Sequence, residues 1–331
     1  MSPQLLERPT RREVLGAGAL GALTLGLAAC GGGGASTAPG GGTRKVPSVN
    51  GPVDVPVEPR RVISTDTYSM ATLFDLDFEG VAGVYSAGAE YVEPQYLERW
   101  RKTPKISSGE VGGEIEIEKV AELEPDLIIG IDASEPPYAK LKQIAPTVVM
   151  PFTGARVAWS AMAHSTAEAV NQAAALAALR RHYENKAAQI RKAHAATLAA
   201  TRWDIIQGGF EPGNFWLYGP GSSVGVILAA AGARFATAGA GVAGNEDEVL
   251  SYEKIGVLDD ADAIYYYATQ EGAPANEGPQ LFEQALWKGL PAVGAGHTYG
   301  TVYFLPNGYG DAIGALEALE AALRDLEGGN R

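Results

Sequence analysis

The sequence predicts an α/β fold of two lobes, each built on a mainly parallel sheet, with one long α-helix between them. Three observations carry that prediction. Strand-like and helix-like runs alternate with short links from Arg61 to Met150 and again from Trp203 to Leu326, the pattern of parallel sheets covered on both faces. Between these segments lies an alanine-rich stretch, Val157 to Leu198. Its inner part from Asn171 onward holds no Gly or Pro and repeats apolar residues at Leu176, Leu179, Tyr183, Ala187, Ile190 and Ala193, the spacing of one helix face. Finally, the block Glu118–Ile129 of the first segment recurs in the second as Glu253–Ile264.

The chain opens with Thr10-Arg11-Arg12-Glu13, passes through a short Gly- and Ala-rich apolar run and reaches Leu27-Ala28-Ala29-Cys30. A basic start, a brief apolar core and small residues before a cut make an export signal rather than a membrane span. Arg11-Arg12 resembles a twin-arginine signal. Leu-Ala-Ala-Cys resembles a bacterial lipobox, in which the Cys thiol is acylated and becomes the new N-terminus. Cys30 is the only cysteine, so no disulfide closes within the chain. Residues 1–29 therefore read as the signal and 30–55 as a lipidated Cys followed by a flexible Gly-rich tether. Removing residues 1–29 takes away three Arg and two Glu, a net +1, and moves the net charge from −13 to −14. Nucleic-acid binding is not expected at that balance.

Residues 56–156 read as the N-terminal lobe. Arg61–Ser64 is a β-rich run, Ser69–Leu76 a helix, Val81–Val84 a strand and Ile106 an isolated strand signal. Glu116–Leu123 is helical, Pro125–Gly130 a buried strand, Tyr138–Ile144 a helix and Thr147–Met150 a strand. In such sheets ligands sit beyond the carboxyl ends of the strands, here Ser64–Tyr68, Tyr85–Tyr91, Gly130–Asp132 and Pro151–Trp159. Residues 157–200 read as a helical linker whose inner helix spans roughly 40 Å at 1.5 Å per residue. It serves either as a coiled-coil or dimer helix or as a rigid strut tying two lobes around a ligand cleft. Residues 201–331 read as the C-terminal lobe, with strands at Trp203–Gln207, Ala263–Tyr267 and Gly300–Leu305 and helices at Val224–Ala231, Glu253–Leu258 and Asp311–Leu326. Both copies of the repeated block are a Glu-headed helix running into a buried strand. The lobes are therefore structural cousins, and Glu118 and Glu253 hold equivalent places.

A bare metal ion needs converging His, Asp or Glu ligands. The histidines are His164, His182, His194 and His297; His182 and His194 lie too far apart along a helix to share an ion and read as solvated surface residues. Gly208-Gly209 and Gly219–Ser223 lack the Lys and spacing of a phosphate-cradling loop. No Gly-x-Ser-x-Gly elbow is present, and nothing marks Asp66, Asp132 or Glu211 as a catalytic pair. A surface enzyme or an adhesion protein is the rival class to a binder.

The chain resembles the substrate-binding proteins of ABC importers for ferric siderophores, cobalamin and haem. The residues that carry this are Arg61-Val62-Ile63, Glu118–Gly130 with its Pro-Asp-Leu-Ile-Ile core, Leu141–Thr147 with its Ile-Ala-Pro-Thr, Ser251-Tyr252-Glu253 and Trp287–Val302. The resemblance covers essentially the whole mature chain. It implies two Rossmann-like lobes joined by a single long helix, with little hinge motion. It implies a monomer with no cofactor of its own that performs no chemistry, held at the outer face of the cell membrane through lipid on Cys30. Its partners would be a ferric siderophore (or haem or cobalamin) and an ABC permease dimer with its ATPase subunits. One exposed Glu per lobe docks into the permease in this family, and by motif position these are Glu118 and Glu253.

A ferric siderophore fills the iron's coordination shell with its own oxygens, so its receptor needs only a wide cleft with aromatic walls and a few donors. The candidate contacts are Tyr68, Tyr85, Tyr91, Arg156 and Trp159 in the first lobe and Phe210, Trp216, Tyr218, Tyr267 and Tyr309 in the second. Trp216 and Tyr218 flank Leu217 and would share one strand face. Arg156 is placed to pair with hydroxamate or carboxylate oxygens. One such arginine, in an acidic chain, favours a neutral or cationic hydroxamate complex over ferric citrate.

Overall fold

The computed structural model describes residues 42–328 apart from 87, 90–91, 110–112, 133–136, 153–158 and 245–246. The export signal, Cys30, Tyr91 and Arg156 lie outside the described residues. The tether read as running to residue 55 does not extend that far. Strands β1 (Thr43–Val46) and β2 (Val53–Pro56) pair antiparallel, with Val46 and Val55 buried in the first-lobe core. Arg44 ties the hairpin down by donating to the carbonyls of Glu168 and Ala169 at 2.5 and 2.7 Å. Those carbonyls belong to the last turn of a later helix, which lacks intrahelical donors.

The first lobe continues through β3 (Val62–Ser64), α1 (Thr67–Asp75), β4 (Val81–Val84), α2 (Leu97–Lys102), α3 (Ile117–Glu122), β5 (Leu127–Ile131), α4 (Tyr138–Leu141) and β6 (Thr147–Met150). The sheet runs β4-β3-β5-β6 and is parallel throughout. Every residue of β3, β5 and β6 is buried, as expected of apolar strands with helices on both faces. Asp66 caps α1, accepting from the Ser69 amide at 2.8 Å.

The crossing to the second lobe is made by α5 (Trp159–Ala169), α6 (Ala173–Ala193) and α7 (Ala195–Ala200). Asn171, in the left-handed region at φ 58°, turns α5 into α6. The 21 residues of α6 span roughly 30 Å. Its apolar face packs against α5 and against two helices of the second lobe, which makes it a strut within the chain. The helix does not run unbroken to Leu198. It stops at His194, and Ala193, expected on the inner face, is exposed. His194, expected at the surface, is only 7% exposed. Its Nδ1 lies 2.9 Å from Glu327 Oε1, so the imidazole turns inward to meet the terminal helix.

The second lobe contains β7 (Arg202–Gly208), β8 (Asn214–Tyr218), α8 (Gly225–Ala230), β9 (Arg234–Phe235), α9 (Thr237–Gly241), β10 (Asp247–Ser251), a 3-10 helix (Tyr252–Leu258) and β11 (Ala263–Tyr267). There follow α10 (Gly278–Glu283), α11 (Ala285–Lys288), α12 (Pro291–Gly294), β12 (Thr298–Thr301) and α13 (Tyr309–Gly328). The sheet order is β10-β8-β7-β11-β12, with β9 also on β7. Strands β7, β9, β11 and β12 are parallel, and β8 alone runs against them, pairing antiparallel with both β7 and β10. The link from Gly209 to Gly213 is too short for a crossover, so β8 must fold back as a hairpin. The last strand is Thr298–Thr301 rather than Gly300–Leu305. Beyond it the chain turns to bury Phe304 completely. The repeat holds: α3 leads into β5 and the 3-10 helix into β11, and both strands sit inside their sheets.

Candidate ligand-binding cleft

The lobes meet through polar side chains beyond the carboxyl ends of β11 and β12 and at the start of α13. Gln270 Nε2 donates to the carbonyls of Val92 and Ala89 at 2.7 and 3.2 Å. Asn307 accepts from Thr67 Oγ1 at 2.8 Å and donates to Glu93 Oε1 at 3.2 Å. Gln95 Nε2 donates to Asp311 Oδ1 at 2.7 Å. Asp75, the last residue of α1, accepts from the Gly310 amide at 2.9 Å and from the Tyr96 hydroxyl at 2.6 Å. A carboxylate of one lobe thus satisfies an orphan amide in the first turn of α13, where the helix dipole favours negative charge. The approach is close enough to require glycine. A Cβ on Gly310 would fall 2.3 Å from Asp75 Oδ1, and one on Gly308 2.6 Å from Asp75 Oδ2.

Asp75, Glu93 and Asp311 make this seam a dry, acidic one. Burial, the largest cause, pushes Asp75 up to about 6 and Glu93 up to about 7. Burial also lifts Asp311 well above the usual carboxylate range, and the neighbouring charges of Glu93 and Asp75 add to it. Three carboxyl groups this close and this dry do not all ionise at neutral pH. Beside them is a cavity of about 240 Å³ walled by both lobes: Val92 and Glu93 from the first, Tyr267, Thr269, Gln270 and Asn276 from the second.

The candidate contacts fall into separate groups. Tyr267 lines the inter-lobe cavity. Trp159 and Tyr309 come together, with ring centroids 5.1 Å apart, and Tyr183 completes an edge-to-face trio. With Arg180 and Leu176 they border a second concavity, about 740 Å³, between α5, α6 and α13. Phe210 is 63% exposed and stands edge-on to Trp216, centroids 5.3 Å apart. Trp216 and Tyr218 do share a face opposite Leu217. Tyr218, however, is only 2% exposed and donates to Gln207 Oε1 at 3.0 Å. Tyr68 is half-buried against Phe152, and the Tyr85 amide donates to Ser64 O at 2.9 Å. Apart from Tyr267, the residues that line and brace the inter-lobe cavity lie outside the aromatic candidates, because the seam is built of Glu, Gln, Asn and Asp. The one available signal was Pro306-Asn307-Gly308, a polar turn directly before a long helix.

Glu118 stands exposed in the first turn of α3, and Glu253 stands exposed near the start of the 3-10 helix. Each heads the helix of its copy of the repeat. Residues 62–303 match the family described as Periplasmic binding protein. The chain belongs to that family. Within it, the fold resembles the siderophore periplasmic binding protein from the fuscachelin gene cluster of Thermobifida fusca. The two share 28% identity with a TM-score of 0.69, covering 82% of this chain and 98% of that one. The petrobactin-binding protein YclQ of Bacillus subtilis has the same fold, with a TM-score of 0.67 over 85% of this chain and 98% of that one, at 22% identity. In sequence, the chain is 36% identical over 113 residues to the iron(3+)-hydroxamate-binding protein YxeB of Bacillus subtilis (strain 168). That stretch covers 34% of this chain and 32% of the relative, about a third of its length.

Proposed function

We propose that this periplasmic binding protein is the receptor of an ABC importer that captures a ferric siderophore of hydroxamate type and delivers it unchanged to the permease. The observation that carries the reading is that two lobes meet at their strand carboxyl ends, with a cavity between them that can take part of a guest, in a fold similar to that of a siderophore-binding protein. The hydroxamate assignment draws support from the match to the iron(3+)-hydroxamate-binding relative and from the acidic balance of the chain. Tyr267, which lines the cavity, and Arg156 are its proposed contacts. Acylation of Cys30 would hold the protein at the outer face of the cell membrane, since each buried methylene contributes about 0.8 kcal/mol. Among the described residues no helix is long and apolar enough to cross a membrane.

Titration with ferric hydroxamates should quench tryptophan fluorescence saturably and return the chelate intact. Quenching by haem or cobalamin alone would reassign the cargo. The exposed carboxylates Glu118 and Glu253 are proposed to dock the two lobes on the permease. Replacing both with Ala should leave chelate affinity unchanged and lower uptake by roughly tenfold or more, as expected for the loss of interfacial charge pairs. A fall in affinity instead would place them at the cleft.

A further inference from the structure

The inter-lobe cavity has two features that an aromatic siderophore cleft does not require. Glu93 is 9% exposed, and while its Oε1 accepts from Asn307, its Oε2 has no hydrogen-bond partner among the described residues. Thr269 Oγ1, on the facing lobe, is likewise buried without a partner. Both residues line the cavity, together with Glu271 and with no Lys or Arg. An unmet buried acceptor costs free energy unless a donor reaches it. About 240 Å³ falls below the range of drug-sized ligand pockets, so the space suits the arm of a guest rather than an iron chelate.

We infer that this cavity receives a terminal alkylammonium group of the guest, with Glu93 Oε2 and Thr269 Oγ1 as its acceptors. An ammonium has three donors and no acceptor, which matches two oxygens lacking donors and an aliphatic rim from Val92 and Val302. The titratable neighbours of Glu93 are Asp75 on α1, Tyr96 ahead of α2, Tyr303 after β12 and Asp311 on α13. All are acidic, so nothing in the seam competes with an incoming cation. The same surroundings hold Glu93 near pH 7 when unpaired, and a bound ammonium would drive its proton off. The inference rests on the siderophore reading only for what the arm is attached to.

The test compares a ferric trihydroxamate ending in a free primary amine with its N-acetyl counterpart, using the full chain. The free amine should bind at least about tenfold tighter, the scale of a charge-assisted hydrogen bond, and Glu93→Gln should erase the difference. Should Glu93→Gln not fold, Thr269→Val should narrow it. Equal affinity for the two chelates overturns the ammonium site and leaves the receptor reading standing. If neither chelate binds, the receptor reading fails and pentylammonium decides the site. A drop of about one unit in the Glu93 carboxyl titration, followed by carbon NMR, supports the site, and no change refutes it.

Discussion

Phe304→Ala is expected to lower the melting temperature by on the order of 5–10 °C, among the largest single-residue effects the fold allows. Phe304 is fully buried and is the hub of the second-lobe aromatic core. Tyr218 meets it edge-on at 5.2 Å, and Tyr267 and Tyr265 stack on it at 5.5 and 6.5 Å. Truncating a core Phe costs about 3–5 kcal/mol, transfer and cavity terms together, and in a chain of this size each kcal/mol shifts the midpoint by about 2 °C. Collapse around the void is restricted because two of the surrounding rings are held by their hydroxyls, Tyr218 to Gln207 and Tyr265 to the Ala315 carbonyl. Tyr267 forms one wall of the inter-lobe cavity, so chelate affinity should fall as well. Phe304→Leu keeps most of the volume and should lose less than half as much. A loss below about 1 kcal/mol for the alanine variant in a denaturant melt would show that the hub is not where stability resides.

Stability should also rise as the pH falls from 8 to 5, opposite to the usual acid sensitivity of proteins. Burial raises Asp66 and Asp75 to about 6 and Glu93 and Asp204 to about 7. The unfolded chain releases these protons near pH 4. A carboxyl group raised on folding binds its proton more tightly in the native state, so its stabilisation is complete below pH 4 and is lost as pH climbs through 6 to 7. For Asp66 alone the shift corresponds to about 3 kcal/mol. Glu320 and Glu327, lowered by Lys186 and His194 respectively, act the other way, but they are far less buried. The melting temperature at pH 5 should exceed that at pH 8 by more than about 5 °C. Asp66→Asn, which can still cap α1, should flatten part of this slope. A midpoint that is level or increases from pH 5 to pH 8 would rule the account out.

The architecture was legible because apolar runs such as Leu127–Ile131 and Ala263–Tyr267 cannot be anything but covered strands next to short helices. The long linker was legible from its composition. Its break was not, because no residue near His194 is a helix breaker. The break falls at His194, whose ring meets Glu327, a residue remote in sequence. The β1–β2 hairpin was missed since Thr-Arg-Lys-Val carries a single apolar residue and directly follows a glycine-rich run. The cleft aromatics were picked out by type, and type alone does not separate Tyr267, at a cavity, from Tyr218, in the core. The seam was illegible for a further reason. Its bonds between the lobes join residues 178 to 240 positions apart, as in Gln270 to Val92 and Thr67 to Asn307, and no local pattern encodes such a pairing.

The Asp75 cap on α13 has a mechanical consequence. The final helix starts on hydrogen bonds from one lobe and ends beside the crossing helix at Glu327, so it acts as a second brace parallel to the first. Two braces leave the jaws a nearly constant width. In the proposed receptor a guest would then lose little affinity to closing the lobes around it, and guests would be sorted by girth against a fixed gauge. The proposed docking carboxylates would keep one separation whether the gap is full or vacant. A transporter would have to sense the cargo itself, or the loops at the rim, rather than a change in stance.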